Sequence, residues 1–125
     1  MGKTFRENNL VYFISDEGER ILMAVLQVKK DSLDLYNSEF KRLNVPFDRV
    51  EFVPTSTELL GLFGYKQHRT LKNYYVIEGA TAIEVSNGFV IDHDDGIHYS
   101  VPYIHMLQNS VEDLLKRRLR IHGDF

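Results

Sequence analysis

The chain contains no cysteine. This excludes disulfides, thiolate nucleophiles and thiolate metal ligands, so a metal would have to bind through histidine, carboxylate or carbonyl groups. Such usage suits a reducing, cytoplasmic setting. Tryptophan is also absent, and the three prolines and eight glycines are scattered, so no linker, low-complexity tract or repeat divides the sequence. No apolar run approaches the roughly 18 to 20 residues of a membrane span. The opening "MGKTFRENN" lacks the apolar core of a secretory signal, and Arg6 stands where a myristoylation signal at Gly2 would need Ser or Thr. The chain therefore reads as soluble and unanchored, with no membrane partner. A net charge of −3 gives no whole-molecule attraction to nucleic acid or to anionic lipid, although a local patch can still act. There is no phosphate-binding glycine fingerprint, HExxH, GxSxG or zinc-ribbon spacing, and no cofactor is expected.

What is present suffices for a core. At 125 residues, 43% apolar, with eight Phe and seven Tyr, the sequence fits one α+β domain spanning residues 1–125. "NLVYFIS" and "RILMAVLQV" flank "DEGE", which predicts a β-hairpin over residues 9–28. Both strands are apolar at nearly every position, so both faces should be covered, by helices on one side and by a second layer or a partner subunit on the other. A homodimer follows as a possibility. Leu33, Tyr36, Phe40 and Leu43 fall on one helical stripe behind Asp31 or Ser32, predicting an amphipathic helix over residues 32–43. "RVEFV" at 49–53 reads as a strand, and "PTSTELLGLFGY" as a capped short helix. Residues 71–78, "TAIEVS", "FVIDH" and "IHYSV" then form an antiparallel meander, with Asn87-Gly88 its strongest turn signal. Ser110 is the expected N-cap of a closing helix that ends before Gly123. The predicted order is ββαβαββββα, with two to three helices packed on the strands.

Three segments carry candidate chemistry. "FVIDHDDGIHYSV", residues 89–101, would bring His93 and His98 together across a two-residue Asp95-Gly96 turn, with Asp94 beside them and His105 as a further metal ligand. Turn chemistry already explains its polar residues. An EF-hand is excluded, because the glycine comes one position early and Tyr103 occupies the twelfth position. The second segment joins Thr55, Ser56 and Thr57, at a helix N-terminus, to Lys66, His68, Arg69 and Lys72. These groups could cradle a phosphate. Tyr65, Tyr74 and Tyr75 could supply flat surfaces for a base. Alternatively the hydroxyls cap, the cations solvate a loop and the tyrosines fill a strand. In the third, Arg118 falls on the apolar stripe of the closing helix, near His122, placed either to snorkel or to meet an anionic partner.

These features favour a non-catalytic binding or regulatory module that acts through a protein partner or a small anionic ligand. One alternative is a nucleic-acid or nucleotide binder using residues 64–75 and 116–120, which requires both basic segments on one face. The other is a metal-dependent enzyme at His93 and His98.

Overall fold

The computed structural model describes residues 5–77, 79–92, 98–119 and 121, with His98 described by its backbone. The fold is α+β, with two antiparallel five-stranded sheets and two α-helices among the described residues. The chain divides into two compact units, one running to Val53 and one starting at Pro54.

The first unit is a meander of β1 (Leu10–Ile14), β2 (Arg20–Val28), β3 (Ser32–Tyr36) and β4 (Lys41–Pro46). A 3-10 turn (Phe47–Arg49) leads to the two-residue β5 (Val50–Glu51), which returns beside β1 to give the order β4-β3-β2-β1-β5. The expected first hairpin forms, with Leu10 opposite Ala24 and Ile14 opposite Arg20. Its turn closes through Gly18 N–H to Ser15 O at 2.9 Å, with Gly18 at φ 82°, a left-handed conformation that glycine adopts without steric cost. Val11, Met23 and Val25 pack into a core with Leu33, Leu35, Val45 and Val50, each contributing roughly 2 kcal/mol by leaving water. Leu10 and Ala24, pointing the other way, are equally buried. The central residue pairs of this hairpin are thus buried on both faces.

Residues 32–43 correct the sequence expectation. They form β3 and the start of β4, not a helix. A helical stripe would need Leu43 inside, yet Leu43 is 62% exposed, whereas Leu33 and Leu35, two apart, are fully buried. Asn37 makes the reversal. Its Oδ1 accepts from the N–H groups of Glu39 (2.9 Å) and Phe40 (3.0 Å), and this local side-chain bonding competes with helical hydrogen bonds. Asp34 is buried between Leu33 and Leu35. It accepts from Asn44 N–H at 2.9 Å and lies 3.0 Å from Lys29 Nζ. The Asn44 bond, aided by Lys29, holds its carboxyl below the ordinary range despite burial. The expected strand over 49–53 is reduced to β5.

In the second unit, α1 (Thr57–Leu62) precedes β6 (Lys66–Gln67), β7 (Tyr74–Ile77), β8 (Ala80–Val85), β9 (Gly88–Asp92), β10 (His98–Ser100) and α2 (Ile104–Leu115), with sheet order β10-β9-β8-β7-β6. The meander is as expected from β7 onward. The expected strand over 71–78 is shortened at its start, and β6 is an additional strand. Val85 pairs with Gly88, so Ser86 and Asn87 span the turn and Gly88, at φ 138°, opens β9. Alternation turns Ala80, Ala82, Phe89 and Ile91 to the buried side of the sheet.

The closing helix starts earlier and stops earlier than expected. Tyr103 is its N-cap, and Lys116, at φ 57°, ends it. Burying Ile104, Leu107 and Val111 at helical spacing outweighs the cap signal of Ser110, which lies inside the helix. After the stop, Leu119 is buried again and its N–H donates to Glu112 Oε2 at 3.1 Å. Arg118 therefore lies beyond α2 and does not occupy a helical stripe.

Candidate functional site

The β6–β7 hairpin gathers four of the candidate residues. Lys66 opposes Val76 and Gln67 opposes Tyr75, and the chain then loops through residues 68–73. His68 organises the loop from within. Its Nδ1 accepts from the N–H groups of Thr70 and Leu71, both at 3.2 Å, with the Thr70 hydroxyl at 3.3 Å. Accepting these N–H groups leaves the proton of the neutral ring on Nε2. Gln67 Nε2 donates to Lys72 O at 2.7 Å, His68 N–H to Tyr74 O at 2.8 Å, and Tyr74 N–H to Leu71 O at 3.0 Å. Glu84 N–H donates to Asn73 O at 2.8 Å, which ties the loop to the end of β8.

Lys66, Arg69 and Lys72 are exposed on this frame. None of the three makes an ion pair among the described residues. Thr70, Leu71, Lys72, Asn73 and Tyr74 line an open recess of about 380 Å³. The loop thus presents two guanidinium or ammonium groups, with a third behind them on β6. His68 occupies the backbone N–H groups of Thr70 and Leu71, so an anion here would be held by side chains.

Thr55, Ser56 and Thr57 are not brought to this hairpin. Thr55 Oγ1 donates to Val101 O at 2.6 Å and Thr55 N–H to Pro102 O at 3.0 Å, anchoring the start of α1 where the chain leaves β10. Ser56 Oγ caps the helix by accepting from Leu59 N–H at 3.3 Å. β10 and β6 are opposite edges of the sheet, four strand spacings or about 19 Å across. Helix α1 leads toward Lys66 with its C-terminal end, which carries the wrong dipole sign for an anion.

The tyrosines also separate. Tyr65 is 5% exposed, and among the described residues no hydrogen-bond partner reaches its hydroxyl; burial raises its pKa. Tyr75 turns to the buried side, its ring 6.4 Å from that of Phe89, leaving the half-buried Tyr74 next to the loop.

Arg118 follows the end of α2. A Cβ on Gly79, in the turn between β7 and β8, would lie 2.6 Å from Leu115 Cδ2, so the end of α2 meets that turn. The 68–73 loop enters β7 at its other end, four residues or about 13 Å away. The end of α2, after which Arg118 follows, thus lies toward the opposite end of β7 from the loop.

For the metal candidates, β10 pairs His98 with Asp92 and Tyr99 with Ile91. The expected register, with His98 opposite His93, is thus off by one residue. A slip would turn every side chain of β10 over; the observed register sets Tyr99, where the expected one would set Ser100, opposite the fully buried Ile91. His93, Asp94, Asp95 and Gly96 lie outside the described residues, as does His122. Among the described residues, no three His, Asp or Glu groups gather in a metal-binding arrangement. His105 is fully buried on α2 with its ring stacked on Tyr103 at 6.3 Å, and burial lowers its pKa to about 4.

Sequence reasoning found the cations of the hairpin but missed Gln67 and Leu71. Gln67 was legible only as part of a polar run. Leu71, between Thr70 and Lys72, interrupts that run with an aliphatic side chain, and this was the available signal. Compared with family models, curated proteins and solved structures, the chain gives no significant match.

Proposed function

We propose that this chain is a non-catalytic binding module that captures an anionic ligand on the β6–β7 hairpin, through Lys66, Arg69 and Lys72. The observation that carries this reading is a loop braced by His68 and Gln67 that displays exposed cations with no ion-pair partner among the described residues. Holding the loop in one conformation before binding lowers the entropy lost on binding. Exposed cations also make the attraction electrostatic and salt-sensitive. Thr55, Ser56 and Thr57 serve the fold, and Arg118 marks a separate basic segment. The test is thermal stability at fixed ionic strength with inorganic phosphate and short oligonucleotides, because a ligand that prefers the folded state must raise stability. The reading expects a shift that shrinks as salt rises and disappears in an Arg69→Glu, Lys72→Glu variant. The same shift in that variant removes the hairpin as the site.

A further inference from the structure

In the second unit, the anion-binding reading leaves two exposed large aliphatic side chains unexplained. Leu71 in the loop is 48% exposed, and Val85 at the end of β8 is 43% exposed. The Glu84 N–H to Asn73 O bond ties the loop to the strand end that carries Val85. Both side chains therefore stand at the end of the sheet that presents Arg69 and Lys72. By alternation Val85 shares its sheet face with Lys66, Tyr74, Val76 and Ile83, and the last three are only half-buried. Glu84 is exposed beside Val85 but points to the other face, as alternation requires.

We propose that this tip docks on the surface of an anionic lipid bilayer, with Leu71 and Val85 entering the interface while Lys66, Arg69 and Lys72 meet the headgroups. This rests on the anion-binding reading and narrows it to lipid. Apolar groups beside Lys and Arg are the pattern of interfacial binding, where hydrophobic insertion and electrostatic attraction add. A soluble phosphate would gain nothing from the aliphatic pair. A single-stranded nucleic acid would need several exposed flat rings, but Tyr65 is buried, Tyr75 packs on Phe89, and Tyr74 beside the loop is half-buried. The net charge of −3 does not prevent docking, because charges beyond a Debye length of about 8 Å are screened from the contact.

The chain has no tryptophan, so a Leu71→Trp variant carries one fluorescent reporter at the tip. Vesicles of phosphatidylcholine with about 30% phosphatidylserine should shift its emission to the blue and sediment the protein, while pure phosphatidylcholine should do neither. Each cation removed should weaken vesicle binding about fivefold. The unlabelled Val85→Ser variant, altered at one exposed position outside the recess and checked by its melting midpoint, should weaken vesicle binding while keeping the phosphate effect. The lipid assignment is overturned if that variant sediments like the parent, if both vesicle types behave alike, or if oligonucleotide binds and vesicles do not. A phosphate effect without vesicle binding defeats this inference alone, whereas silence from phosphate, oligonucleotide and vesicles together defeats the anion-binding reading as well.

Discussion

Acid should weaken the second unit through His105. The side chain is fully buried on α2, and burial, which disfavours the imidazolium, lowers its pKa from 6.5 to about 4. Between these values the unfolded chain holds a proton that the folded chain does not, so stability must rise with pH across that window. The contribution is complete above about pH 6.5 and is lost as pH falls toward 4. Each tenfold change in proton affinity is worth about 1.4 kcal/mol, which sets a ceiling of roughly 3 kcal/mol. Because the folded form is itself about half protonated at pH 4, the expected loss down to that pH is about 2–3 kcal/mol. Urea denaturation from pH 7.5 down to pH 4, with the m-value monitored to establish two-state behaviour, measures it. A His105→Leu variant, close in volume and unable to titrate, should show a flatter profile over the same window. If parent and variant lose equal stability, His105 is not the group responsible and its burial carries no proton linkage.

Three further outcomes follow from local geometry. Tyr65→Phe removes a buried hydroxyl without a partner among the described residues and should stabilise the protein by about 1 kcal/mol, read as a rise in the urea midpoint; a fall would mean that the hydroxyl is bonded in solution. Gly79→Ala places a side chain at φ 94° against Leu115 and should cost about 2 kcal/mol, a loss that Leu115→Ala should relieve in part. His68→Ala removes the acceptor that organises Thr70 and Leu71 and should destabilise by about 1 kcal/mol. It should also weaken phosphate binding without changing any cation, and His68→Asn, which keeps an acceptor, should restore part of both.

Where neighbours in the chain decide the conformation, the sequence was sufficient. The hairpin over residues 9–28, the capped start of α1 and the meander from β7 onward all follow from turn residues and apolar runs that act over a few positions. The absence of cysteine likewise limits the available chemistry whatever the fold. The cationic loop was visible because Lys66, Arg69 and Lys72 lie close together in the chain.

Tertiary structure decided what local pattern left degenerate. Leu33, Tyr36, Phe40 and Leu43 satisfy a helix, but Leu33 and Leu35 satisfy a strand equally well, and pairing with β2 together with the Asn37 turn chose the strand. Ser110 resembled a cap until burial of Ile104, Leu107 and Val111 moved the helix forward. The register of β10, the separation of Thr55 from Lys66 across the sheet, and the placement of Arg118 beyond α2 all depend on long-range packing. No short-range signal encodes such pairing, because its free energy comes from burying surfaces that are distant in the chain.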